Sequence, residues 1–179
     1  MKQIIFLFLI WIVASGVLPL SAQQPASAVE VKVDDLQATP YGISITLRAS
    51  RSDELLHMLI GVSEGEAIAR ALSHRTPPRP MTHDLITAIL GRTGWRVQWV
   101  LIRGIRDATF LADLVLEKNG ETAVIDARPS DAMAIAVRSD AKIFVNPEVF
   151  ELERSQERQE RNKQPKEETT PPAGEGLHL

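Results

Sequence analysis

Two short segments concentrate the residue types that handle phosphate esters. One is Arg79-Pro80-Met81-Thr82-His83-Asp84; the other is Asp126-Ala127-Arg128-Pro129-Ser130-Asp131. Each sets Arg-Pro ahead of a helix start, then a hydroxyl, then an acid in the first turn. A helix start presents free backbone N–H groups that favour an anion. Arg79 and Arg128 offer planar donors that grip phosphate oxygens in pairs. His83 can move a proton near neutral pH, with Asp84 beside it to orient the ring. Asp84, Asp126 and Asp131 supply hard oxygens of the kind that hold a divalent cation such as Mg or Mn. Arginines, a histidine and carboxylates together suffice for phosphodiester hydrolysis. The same residues also have a purely structural reading. Thr82 and Ser130 would cap helices, the prolines would set the first turn, and the acids would complement the helix dipole. Spacing alone does not separate the two. Glu66 is a further candidate carboxylate, but a capping box over Ser63-Glu64-Gly65-Glu66 accounts for it without chemistry.

Charge is distributed unevenly. The formal net charge of the chain is −3, which excludes a generally basic nucleic-acid coat. Between Ala67 and Arg106, however, seven arginines face a single acid, Asp84, for a local net of +6. Arg92 and Arg96 in this stretch are candidate substrate contacts, and His74 and His83 lie within it. Trp95 and Trp99 interleave with the arginines. Basic side chains with aromatic platforms suit single-stranded nucleic acid; two tryptophans on one strand face equally suit a core. The absence of cysteine excludes a disulfide scaffold, a zinc-thiolate site and thiol catalysis.

These residues must be positioned by a fold of modest size. A chain of 179 residues, 44% apolar, holds one domain with tails. Alternating patterns predict strands over 29–36, 41–49 and 55–60, the first two joined as a hairpin. Helices follow near Ser63 and from Thr82, the latter ended by Gly91 and Gly94. Three more strands are expected over 95–102, 109–117 and 121–126, with Asn119-Gly120 as a hairpin turn and a turn at Arg106-Asp107. A helix from Pro129 is apolar nearly all round, hence buried. A strand over 142–145 and a helix from Pro147 complete the order βββαα βββαβα. The fold class is therefore α+β with mixed or antiparallel sheets and about four helices.

The ends read differently. Residues 1–22 have the layout of a secretory signal peptide: Lys2, an apolar run from Ile4 to Leu18, then small residues before Gln23. Ala26-Ser27-Ala28 offers a second cleavage point, and the rival reading is an uncleaved anchor. The expectation is an exported protein, periplasmic or secreted, without stable membrane association after cleavage. Residues 23–28 form a short linker and 29–150 the domain. Residues 151–179 form a charged helical extension, with Glu157 and Arg161 at i, i+4, and a disordered tail from Gln164.

The segments IGVSEGEAIARAL (60–72), RPMTHDLITAIL (79–90), IDARPSDAMAIAVR (125–138) and KIFVNPEVF (142–150) together resemble the bifunctional nuclease domain family. The resemblance spans about residues 29–150 and implies an α+β fold, self-association into a homo-oligomer, and degradation of both RNA and DNA. It carries Arg79, Thr82, His83, Asp84, Asp126, Arg128, Ser130 and Asp131 over as candidates. An export signal departs from the usual member and favours extracellular or periplasmic DNA or RNA. The expected function is an exported nuclease of low sequence specificity. The alternative is a non-catalytic oligomeric module that uses the basic stretch to bind a polyanion or a protein partner.

Overall fold

Among the described residues, seven strands and four helices follow one another in the order that the hydrophobic patterning predicts. The computed structural model describes residues 26–163. The expected leader, the tail from Gln164 and the pairing of Glu157 with Arg161 lie outside what it describes. Strands β1 (Val29–Thr39), β2 (Gly42–Ala49) and β3 (Leu55–Ile60) form one antiparallel meander. Strands β4 (Arg96–Arg106), β5 (Thr109–Lys118) and β6 (Glu121–Ala127) form another. The short strand β7 (Lys142–Val145) lies between them, antiparallel to β1 and parallel to β4. The result is one mixed seven-stranded sheet in the order β3-β2-β1-β7-β4-β5-β6.

The helices are α1 (Val62–Leu72), α2 (Thr82–Thr93), α3 (Pro129–Arg138) and α4 (Pro147–Lys163). Helix α3 carries the chain from edge strand β6 back to central β7. It is buried on nearly every side, with Ala132, Met133, Ala134, Ile135 and Ala136 all inside. Its alanines let α1, α2, β4 and β5 approach closely, as an all-apolar helix requires. The main core joins Ile45, Leu47, Leu56, Ile68, Val100, Ile102, Met133 and Phe150.

Several local expectations are corrected. Strands β1 and β4 run past 36 and 102, to Thr39 and Arg106. The N-cap of α1 is Gly61, not Ser63; Ser63 instead bonds Glu64, and Glu66 pairs with Arg70. Met81 and Arg128 occupy the N-cap positions of α2 and α3, so Thr82 and Ser130 sit inside the first turns. Gly91 lies within α2, and Gly94 alone provides the left-handed C-cap, with φ 80°. The Asn119-Gly120 hairpin forms as expected, both residues having positive φ. The turn after β4 is Asp107-Ala108.

Trp95 and Trp99 do not share a face. The β4–β5 register shifts between Val97 and Trp99, and an extra residue reverses the side-chain alternation. Trp95 packs toward the main core, with the Lys118 ammonium 5.9 Å from its ring centre. Trp99 belongs to a separate cluster with Leu101, Val115 and Phe144, set edge-to-face against Phe144 at 6.3 Å. It is 6% exposed, so it offers no platform to a base.

Helix α1 seats closely on β2 because residue 65 is glycine. A Cβ at Gly65 would lie 2.5 Å from an Ile43 side-chain carbon. Gly65→Ala should therefore destabilise by about 1–3 kcal/mol through overpacking. Gly91→Ala, where a Cβ meets nothing within 4 Å, should be stabilising by up to about 1 kcal/mol. Urea denaturation of both variants checks the contrast; equal midpoints would contradict it.

Candidate active site

The first turns of three helices meet at one place. Glu64 comes from α1, His83 from α2 and Asp131 from α3. Arg128, the N-cap of α3, links them. Its Nε donates to Asp131 Oδ2 at 2.7 Å and its Nη2 to Glu64 Oε1 at 2.8 Å. His83 Nε2 lies 3.0 Å from the other Asp131 oxygen, Oδ1. A neutral imidazole facing a carboxylate carries its proton on the bonded nitrogen, so Nδ1 is left as the base. The chain Glu64–Arg128–Asp131–His83 thus joins residues 64, 83 and 128–131 through three side-chain contacts.

The network borders a cleft of about 700 Å³. Glu64, Thr82, His83, Asp126, Arg128 and Asp131 line its polar part, and Ile86, Leu90, Leu114, Ile125 and Ile135 its apolar part. His83 is buried, only 8% exposed, whereas Arg128 keeps 66% of its side chain accessible. With Nε and one Nη2 hydrogen committed, three of the five guanidinium N–H groups are left for an anion. Such a site can present a fixed cation and an oriented imidazole to a phosphate beside an apolar wall.

Electrostatics hold the carboxylates ionised. Burial pushes the Asp131 carboxyl up, but the hydrogen bonds from Arg128 and His83 outweigh it and hold it below the ordinary range. The Ser63 hydroxyl, then backbone and Arg128 donors, lower Glu64 against the opposing effect of burial. Asp131 and Glu64 in turn raise Arg128.

Asp84 is placed differently from its expected role beside His83. One carboxylate oxygen accepts the backbone N–H of Met81 at 2.9 Å, and the other accepts Arg138 Nε. It caps α2 and ties it to α3, while Asp131 is the residue that orients His83. The Arg138 hydrogen bond, then the Met81 amide, hold Asp84 below its ordinary range. The sign of the pH effect follows. Carboxyls depressed in the folded state contribute stability that is complete above their unfolded values and lost as pH falls through the folded ones. The melting temperature should therefore fall steeply below about pH 4. Arg138→Met should flatten that acid limb by releasing Asp84; an acid limb identical to the parent's would contradict this.

The remaining candidates scatter. Asp126 lines the cleft, 78% exposed, and accepts Arg103, whose other bond goes to Asp113 at 2.8 Å. Ser130 is buried and does not line the cleft. Arg79 is exposed in the α1–α2 connection. Arg92 is exposed near the end of α2 and Arg96 pairs with Glu117; neither lines the cleft. Arg96 and Arg106 stand about 33 Å apart along β4. The +6 stretch is therefore not one patch, and partner strands neutralise part of it.

Glu64 was not singled out from the sequence; its one signal is an acid in a helix first turn. The donor set does not fit a divalent cation held by protein groups alone. Among the described residues no three His, Asp or Glu side chains gather as a ligand set. Both Asp131 oxygens and both Asp84 oxygens are already engaged.

Comparison with known proteins places the chain in a family. The model of the bifunctional nuclease domain matches residues 45–158. An uncharacterised protein of Mycobacterium tuberculosis (strain ATCC 25618 / H37Rv) is 37% identical over 122 residues, covering 68% of this chain and 71% of that protein. Bifunctional nuclease 1 of Oryza sativa subsp. indica is 29% identical over 112 residues, 61% of this chain but 34% of the rice protein. The match takes in α1, α2, β4 to β6 and the Arg128–Asp131 turn together: this chain belongs to the bifunctional nuclease domain family.

Proposed function

We propose that this protein is an exported nuclease that hydrolyses phosphodiester bonds in RNA, DNA or both with low sequence specificity. The observation that carries the reading is the Glu64–Arg128–Asp131–His83 chain opening on a cleft in a member of this family. Arg128 holds the non-bridging phosphate oxygens. His83 takes the proton of the attacking water as its oxygen bonds to phosphorus; the bond from phosphorus to the leaving sugar oxygen breaks, and that oxygen takes the proton back from the imidazolium, which Asp131 orients and stabilises. Asp126, at the cleft rim, orients the water. The reading uses protein groups alone, because no three His, Asp or Glu side chains gather as a ligand set among the described residues. Supercoiled plasmid and an RNA transcript, incubated with purified mature protein with and without EDTA, test the reading. Both should be degraded in either condition; intact substrates in both conditions overturn it.

A second reading has its own support. Edge strand β6 exposes Val124 and Ile125, 60% and 46% accessible, and α2 exposes Leu85 and Ile89. These apolar surfaces suit a second copy of the chain, so we propose self-association with or without catalysis. Light scattering together with the degradation assay separates the two: an oligomer without cleavage favours the binding module.

The proposal of export rests on residues 1–22 of the sequence. Mass spectrometry of protein from its natural compartment should find a chain starting near Gln23 or just beyond. Intact Met1 in the membrane fraction would instead establish an anchor.

A further inference from the structure

Across the first turn of α2 from the cleft lies a second cavity, of about 670 Å³, between the α1–α2 connection and the end of α3. Met81, Thr82 and His83 line the cleft, whereas Pro80 and Asp84 line this second cavity, so one helical turn separates them. We propose that the second cavity is a phosphate subsite for the nucleic-acid strand, flanking the scissile position, with Arg75 and His74 as its contacts. This rests on the nuclease reading of the cleft and adds to it a binding position outside the reacting groups.

Three observations support the assignment. First, the connection Ser73–Met81 carries His74, Arg75 and Arg79 and no acid. Among the described residues none of the three makes a side-chain hydrogen bond or ion pair, unlike Arg70, held by Glu66, and Arg138, held by Asp84. A cation without a protein partner beside a cavity is free to take an anion. Two acids line the cavity: Asp84, whose oxygens are already engaged by Arg138 and the Met81 amide, and Asp140, exposed on the α3 side.

Second, the backbone there is already fixed. His74 stands in the left-handed region, φ 52°, at the end of α1. The Arg75 N–H returns to the Arg70 carbonyl at 3.0 Å and the His74 N–H to the Ala71 carbonyl at 3.1 Å. This closing pattern normally has glycine where His74 sits, because a side chain strains that conformation. It also occupies carbonyls that would otherwise repel an anion. Pro77, Pro78 and Pro80 stiffen the rest of the connection, so little freedom is lost when a ligand binds.

Third, Arg70 bridges the two cavities. It lines the second one, and its Nη1 lies 3.2 Å from the sulfur of Met81, which lines the cleft. A strand crossing Met81 passes from the cleft to the second cavity over the first turn of α2, and a helix is roughly 10 Å across. A strand of a few nucleotides spans that, whereas a dinucleotide placed at Arg128 does not fill both positions.

The test compares substrate lengths with the double variant His74→Gly, Arg75→Gln. Glycine at position 74 relieves the left-handed strain, so the fold should be retained and a thermal melt should show no loss. On an oligonucleotide of about ten nucleotides, a size typical of single-strand sites, KM should rise about tenfold with kcat unchanged. On a dinucleotide neither constant should move. The salt slope for oligonucleotide binding should fall by about 0.7, one phosphate contact. Equal losses on both lengths, or unchanged oligonucleotide KM and salt slope, overturn the subsite. Anisotropy of a labelled phosphorothioate oligonucleotide, which resists cleavage, keeps the two proposals distinct. If the parent cleaves nothing, the nuclease reading fails, and weakened binding by the variant still upholds the subsite while unchanged binding sinks it.

Discussion

His83→Gln should lower nuclease turnover by about 100-fold while the protein melts close to the parent temperature. Glutamine has nearly the reach of histidine, and its amide can still donate to Asp131 Oδ1, so the bond that joins α2 to α3 is kept. What disappears is the imidazole that takes and returns the proton. Asp126→Asn should behave alike for a different reason. Its carboxylate is largely exposed and its loss leaves Arg103 still bonded to Asp113, so little stability depends on it. The charge that orients water would nevertheless be gone, and most turnover with it. Both variants should bind single-stranded nucleic acid as the parent does. Parent-level cleavage by both, with parent-level melting, would remove these residues from the chemistry. If both unfold instead, the network is structural and the reading as a binding module gains.

Arg128→Met is expected to have the broadest consequences, because one guanidinium serves two ends. Toward the protein it neutralises Glu64 and Asp131, whose side chains are 14% and 30% exposed. Removing it leaves two partly buried carboxylates without their shared cation, at a cost of about 1–3 kcal/mol. Toward the substrate it is the fixed cation of the cleft. Loss of one such preorganised donor typically lowers turnover by about 100-fold or more. The salt slope for binding a single strand should also fall by about 0.7. Arg128→Lys should recover little, since an ammonium is a point charge and cannot span Glu64, Asp131 and a phosphate at once. Measuring urea midpoint, kcat and salt slope on the same preparations separates the effects. A variant that loses stability but keeps kcat and salt slope would confine Arg128 to holding the helices together.

The elements and their order are legible in the sequence, because that information is local. Period-two patterns give strands such as Gly42–Ala49, Asn119-Gly120 marks a hairpin, and the unbroken apolar run after Pro129 marks a buried helix. The sequence also marked His83, Arg128 and Asp131 as residues able to do chemistry, since residue type and helix starts are local features too. Which of them meet is not local. His83 and Asp131 are 48 residues apart, and Glu64 and Arg128 are 64 apart. Only the return of α3 across the sheet brings three helix starts together. The same packing moved Asp84 away from His83 to Arg138, a partner 54 residues distant. A single bulge in β4 parted Trp95 from Trp99, because one extra residue reverses a strand's faces, and no pattern in the sequence announces it. Charge behaved likewise. The arginine-rich stretch is basic along the chain, but Glu117, Asp113 and Asp126 on neighbouring strands neutralise part of it. Electrostatic partners are chosen by distance in space, and that distance is set by the sheet.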